Sequence, residues 1–259
     1  MNTVFAHIFD PQNLGDSVCC PADYFPEFDS CRRANLWDSL EPFQNSNLII
    51  GGGGVIHGDL ESKLSAIPVN GRKLIAWGIG HNQHFRTMRR LCSDDYFSLR
   101  NFSLVGCRDW NTCGASYIYV PCASCLHNEF SLQRSGPKFD YVIYEHRLHP
   151  IPIGTPLKMS NSQAKFSFAS VLDFLSSGQT VITNTFHGAY WSMLLNRRVI
   201  LWNPFSTRFH TFKHQPEICD ETNWSQKVRS GPTNCNADYL ADCRAANMAF
   251  FGKVKEVIF

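Results

Sequence analysis

One histidine stands where an apolar run stops: Thr180-Val181-Ile182-Thr183-Asn184-Thr185-Phe186-His187-Gly188-Ala189. Thr183 or Thr185 can cap a helix starting there. A histidine in its first turn meets the positive end of the helix dipole, which favours neutral imidazole and suits acid or base work near neutral pH. A lone histidine is also commonly structural; its strand-to-helix position makes His187 a catalytic candidate. A second candidate follows the first apolar run, in Asn13-Leu14-Gly15-Asp16. Asp16 can serve as a general base or hold a hydroxyl, although Asn-x-Gly-Asp also spells an ordinary turn.

The stretch Asn47-Leu48-Ile49-Ile50-Gly51-Gly52-Gly53-Gly54-Val55-Ile56-His57-Gly58-Asp59 runs an apolar segment into four glycines. They remove every Cβ at a strand's C-terminal end, where open α/β sheets bind ligands, so backbone amides can approach a phosphate, carboxylate or sugar hydroxyl. The glycine order differs from G-x-G-x-x-G and from the P-loop, and no Lys-Ser/Thr follows, which excludes dinucleotide and ATP fingerprints. Leu104-Val105-Gly106-Cys107-Arg108-Asp109-Trp110 delivers Arg108 at another run's end, suited to bidentate recognition of phosphate or carboxylate.

Cys122-x-x-Cys125 raises a metal or redox reading, with Cys107 and Cys113 as the nearest further ligands, but a second C-x-x-C is absent and free thiols are favoured. His81-x-x-His84, His146-x-x-His149 and His210-x-x-x-His214 lack the H-E-x-x-H signature. No metal site is expected.

These residues need strands to carry them. Short β-branched runs at Thr3 to Phe9, Asn47 to Ile50, Lys73 to Trp77, Leu104 to Cys107, Tyr117 to Val120, Tyr141 to Tyr144, Thr180 to Thr183 and Val199 to Trp202 alternate with helical spacing. That alternation predicts parallel sheets covered on both faces. Helices are expected at Phe85 to Cys92, Ser162 to Leu175, Phe186 to Leu195 and Ala237 to Val257, the last with an apolar stripe through Leu240, Cys243, Asn247, Phe250, Val254 and Val257. Pro150 to Pro156 reads as an irregular loop. Polar residues ending in Gly136-Pro137 place a boundary near 135, dividing the chain into residues 1–135 and 136–259.

Composition bounds the partners. With 24 Lys+Arg against 22 Asp+Glu the 259-residue chain has no field to recruit nucleic acid, though a local basic pocket remains open. Eleven cysteines, an odd number, do not read as a disulfide framework and suggest reduced thiols. The first ten residues lack a basic n-region and no run reaches about 20 apolar residues, so a cytoplasmic protein without a membrane span is expected. The oligomeric state is left open.

In their order these segments resemble the polysaccharide pyruvyl transferase family: Asn13 to Asp16, Ile49 to Gly54, Trp77-Gly78-Ile79-Gly80, Arg108-Asp109 and Thr185-Phe186-His187-Gly188, spanning residues 1 to about 205. The resemblance implies an α/β fold of two Rossmann-like halves facing each other across a cleft, of the GT-B type. It implies an enzyme of glycan biosynthesis that moves a pyruvyl group from phosphoenolpyruvate onto a sugar as a ketal, with no cofactor or metal. By motif match His187 and Asp16 would be catalytic. Arg108, Gly52, Gly53, Gly54, Thr185 and Gly188 would hold the small anionic donor, and Asn13 and His57 the saccharide acceptor. Thr185 departs from the family pattern, which has arginine there; Arg147, Arg197, Arg198 and Arg208 are the arginines that can replace its charge. That departure keeps two alternatives: a glycosyltransferase of the same fold using a nucleotide sugar, and a glycan-binding protein without turnover.

Overall fold

A computed structural model describes residues 2–40, 43–56, 67–82, 99, 101–112, 117–162, 166–231 and 236–259. The β-branched runs form two sheets in which every strand pairing is parallel. The first comprises β1 (Thr3–His7), β2 (Arg32–Asn35), β3 (Asn47–Gly51), β4 (Leu74–Ile79), β5 (Leu104–Cys107) and β6 (Ile118–Tyr119), in the order β2-β1-β3-β4-β5-β6. The second comprises β7 (Phe139–Glu145), β8 (Lys158–Ser160), β9 (Gly178–Thr183), β10 (Arg198–Trp202) and β11 (Glu217–Cys219), in the order β11-β10-β9-β7-β8. Both start with the same arrangement: the first strand lies between the second and the third. β3, β4 and β10 are buried along their whole lengths, as expected for strands covered on both faces.

The helices among the described residues are α1 (Leu14–Ser17), α2 (Phe168–Ser177), α3 (Phe186–Leu194), α4 (Trp224–Arg229) and α5 (Tyr239–Ile258), joined by short 3-10 turns. The helix expected from Ser162 starts only at Phe168, because Ser167 is its cap and accepts from Ser170 N at 3.2 Å. Ser162 instead forms a backbone bridge to Asn13. The helix expected at Phe85 to Cys92 lies largely outside the described residues. Pro150 to Thr155 has no regular structure, yet Ile151 and Ile153 pack into a core with Ile143, Ile182 and Ile200.

Helix α5 lies within residues 136–259 but packs on both sheets. Its first turns, at Tyr239 and Cys243, belong to the core of the second sheet; Phe250, Phe251 and Val254 belong to the core against the first, with Phe5, Phe28 and Trp77. Asn247 sits between the two cores, fully buried within the expected apolar stripe. Its Oδ1 accepts from Trp77 Nε1 at 3.0 Å and its Nδ2 donates to Pro121 O at 3.1 Å, so a polar residue is satisfied where an apolar one would leave both orphaned.

Candidate active site

In a parallel sheet ordered 2-1-3, the connections leaving strands one and three diverge and open a crevice beyond the strands' C-terminal ends. Both sheets have such a switch point, β1/β3 in the first and β7/β9 in the second, and the two open onto one pocket. Asn13, Gly15, Asp16, Gly53, Gly54 and Arg108 line it from the first sheet; Tyr144, His146, Asn161, Thr185, Phe186, His187 and Arg208 line it from the second. Its volume is about 50 Å³.

The loop after β1 is held to the second sheet. Asn13 Oδ1 accepts from Gly15 N at 3.2 Å and from Asn161 Nδ2 at 3.4 Å, and its Nδ2 donates to Asp16 Oδ2 at 3.0 Å. Arg147 pairs with Asp10 at 2.9 Å beside it. Burial raises the Asp16 carboxyl to about 7, the nearby charge of Asp10 adds to the rise, and the Asn13 hydrogen bond with the charges of Arg208 and Arg108 only partly opposes it. Asp16 therefore carries its proton through much of the range below neutral pH.

Thr185 caps α3: its Oγ1 accepts from Gly188 N at 2.9 Å and sits 3.1 Å from Thr183 Oγ1. His187 follows in the first turn. Its ring stacks on Trp191, with centroids 5.0 Å apart, and its Nε2 lies 3.5 Å from Cys122 Sγ. Its Nδ1 edge lies so close to Gly15 that a Cβ there would stand 2.0 Å from Nδ1, which is why residue 15 must be glycine. Burial, then the charges of Arg108 and Arg208, hold the imidazole well below its usual range, so His187 is neutral.

Two cations face this pair. Arg108 is 4% exposed and its guanidinium lies over the Phe186 ring at 3.8 Å. Its space comes from missing side chains: a Cβ on Gly80 would stand 2.8 Å from Arg108 Nε, and one on Gly54 would stand 3.1 Å from its Nη2. Arg208 sits on the 3-10 turn Thr207–His210, over the rings of Phe205 and Phe209, and burial followed by the charge of Arg108 lowers it to about 10. Among the described residues neither arginine forms an ion pair, and neither Nε finds a hydrogen-bond partner. The Tyr144 hydroxyl on the same wall is also buried without a partner. Two enclosed cations without a direct ion pair among the described residues, with the carboxyls of Asp16 and Asp109 acting on them only through space, make a candidate anion site.

The site residues named from sequence divide on these coordinates. His187, Asp16, Arg108, Gly53, Gly54, Thr185 and Asn13 meet at the pocket. Gly52 is not among its lining residues: at φ +73° it faces the first loop, where a Cβ would stand 2.5 Å from Cys19 Sγ. Gly188 also lies outside the lining; its N–H is taken by the Thr185 cap, and a Cβ would stand 2.5 Å from Tyr144 Cδ1. His57 lies outside the described residues. Of the four arginines offered against Thr185, Arg208 lines the pocket, whereas Arg147 is paired with Asp10 and Arg198 with Glu217 at 2.7 Å. Asp109 serves the frame: burial alone would raise its carboxyl, but hydrogen bonds from His81 and the charges of His81 and Arg108 hold it below its usual range. The thiols of Cys122 and Cys125 diverge, Cys122 Sγ toward Ser124 and His187, Cys125 Sγ accepting from Asn247 Nδ2 at 3.4 Å. Tyr144 and Asn161 went unmarked in the sequence and His146 was marked only in a His-x-x-His pair, although Tyr144 and His146 carry the signal used elsewhere, a polar side chain at the end of an apolar run.

No protein-family model and no curated protein matches the chain. Among solved structures it is similar to a functionally uncharacterized protein from Klebsiella pneumoniae subsp. pneumoniae NTUH-K2044, at 20% identity over 85% of this chain and 93% of that one, with a TM-score of 0.49.

Proposed function

We propose that the chain is a pyruvyl transferase of glycan biosynthesis, with a GT-B-like cleft between its sheets and phosphoenolpyruvate as donor. The observation that carries this reading is the pair of unpaired buried arginines, Arg108 and Arg208, beside a neutral His187 and an Asp16 raised to about 7. Arg208 supplies from a later loop the charge that the family pattern places at position 185. A cavity of about 50 Å³ has room for one anionic group of a small donor and is well below the roughly 300 Å³ at which drug-sized ligand pockets begin. This favours phosphoenolpyruvate over a nucleotide sugar.

The two titratable groups divide the proton work. Protonated Asp16 gives its proton to the methylene carbon of the donor, and positive charge develops at the adjoining carbon. A sugar hydroxyl attacks that carbon while neutral His187 takes the hydroxyl's proton. The carbon–oxygen bond to phosphate then breaks, with Arg108 and Arg208 on the departing dianion, and the second hydroxyl closes the ketal. In net terms one hydroxyl proton ends on the new methyl group and the other on phosphate. Incubation with phosphoenolpyruvate and a panel of saccharides is expected to release phosphate only when an acceptor is present. Release of nucleoside diphosphate from nucleotide sugars would instead establish a glycosyltransferase, and glycan binding without turnover of any donor would refute both enzyme readings.

A further inference from the structure

A second cavity, of about 390 Å³, opens at the C-terminal ends of β1 and β2. His7, Phe9, Ser17, Asp23, Arg33 and Asn35 line it. Its size is within the range of small-molecule sites, and its wall is mainly apolar with a few polar groups converging on it. Phe9 is 48% exposed there, with the His7 ring edge-on at 6.2 Å. Asn35 Oδ1 accepts from Phe9 N at 3.5 Å and Trp37 N at 3.2 Å, which fixes the amide in the wall. Arg33 bonds Asp23 at 3.4 Å, which sets a guanidinium and a carboxylate side by side. His7 is 8% exposed and its Nδ1 has no partner among the described residues.

We infer that this cavity binds a neutral sugar ring, the aromatic Phe9 covering the ring's C–H face and Asp23, Arg33 and Asn35 bonding its hydroxyls. An exposed aromatic beside a mixed set of donors and acceptors matches a molecule with an apolar face and a polar rim. A phosphate or carboxylate would meet Asp23 at close range, which argues against an anion here. His7 stays neutral because burial lowers its pKa, the Asp23 charge opposing this and the Arg33 charge adding to it, so one ring nitrogen can accept from a hydroxyl. Ser17 of this wall and Asp16 of the anion pocket are consecutive residues of α1, so the two sites share one helix. The inference rests on the proposed function for naming the sugar as acceptor.

The test is a titration of the full chain with methyl galactoside, methyl glucoside and methyl mannoside, without donor, followed by saturation-transfer NMR. At least one glycoside is expected to bind saturably. Phe9→Ala and Asn35→Ala should each weaken that binding at least about tenfold, and Arg208→Ala should leave it unchanged. Unfolding curves of the variants show that the fold is kept; Phe9→Tyr, which retains the ring, should restore binding if Phe9→Ala is damaged. Binding of none of the three, or binding indifferent to both Phe9→Ala and Asn35→Ala, would overturn the inference. A parallel titration with phosphoenolpyruvate separates the readings. Donor binding with no glycoside binding sinks only this cavity, whereas glycoside binding with no donor binding keeps the cavity and sinks the proposed transfer.

Discussion

The loop Asn13–Asp16 leaves the first strand of one sheet and the turn Thr185–Gly188 the third strand of the other, each beside a switch point, and they touch where Gly15 meets His187. Burial acts on both and drives their titratable groups in opposite directions. The Asp16 carboxyl rises to about 7 and the His187 imidazole falls well below its ordinary value. In a carboxylic acid the neutral form holds the proton; in an imidazole the neutral form has lost it. One dry crevice therefore makes an acid of the first loop and a base of the second. The arginines add an asymmetry, lowering His187 further and pulling Asp16 partly back.

The largest effect is expected from breaking the histidine side. His187→Ala should lower acceptor-dependent phosphate release by about 10² to 10⁴-fold with the fold intact by circular dichroism. Wild-type rates in that variant would remove His187 from the mechanism. Gly15→Ala should cost turnover on a similar scale without touching any titratable group, because its Cβ would stand 2.0 Å from Nδ1 and the imidazole must shift. An unchanged rate there would show that the contact between loop and turn does not position the ring.

Stability against pH separates the two sides by sign. Below about pH 6.5, while His187 with its lowered pKa is still neutral, the folded chain keeps a proton on Asp16 and none on His187, whereas the unfolded chain keeps one on His187 and none on Asp16. The counts match, so the pair gives no slope in the wild type. His187→Gln leaves Asp16 alone. Its raised folded pKa means that stability falls as pH climbs from about 4 to 7, by at most about 1.4 kcal/mol per unit. Asp16→Asn leaves His187 alone, with its folded pKa depressed, so stability should rise as pH climbs toward about 6.5. Urea unfolding at several pH values reads both slopes, and parallel slopes in the three proteins would contradict the opposed shifts. A smaller effect, outside the site, is expected of Asn247→Leu: a loss of about 1 to 3 kcal/mol in the same assay, from orphaning Trp77 Nε1 and Pro121 O.

The two sides were also unequally legible in the sequence. Strands such as Asn47–Gly51 and Arg198–Trp202 are central, apolar and buried on both faces, so composition alone exposes them. The edge strands Arg32–Asn35, Lys158–Ser160 and Glu217–Cys219 each pair on one side only and carry charged residues, so no apolar run announces them. Asp16, Arg108 and His187 were visible because each ends or follows an apolar run. Arg208 was visible only as one of four arginines, since a 3-10 turn after β10 has no periodicity, and only the tertiary arrangement brings it opposite Arg108. The Trp77-Gly78-Ile79-Gly80 segment carried a motif without a reason; the reason at Gly80 is the Arg108 side chain filling the space beside it.

The central claim is that Arg108 and Arg208 form the anion site, and calorimetric titration with phosphoenolpyruvate tests it most directly. Wild-type protein should bind, and Arg208→Ala should weaken binding about 10 to 150-fold, the loss of a charge-assisted pair worth about 1.5 to 3 kcal/mol. Arg198→Ala, whose arginine is paired with Glu217, should bind as the wild type does. Equal affinity in wild type and Arg208→Ala, or no binding in either, would contradict the account.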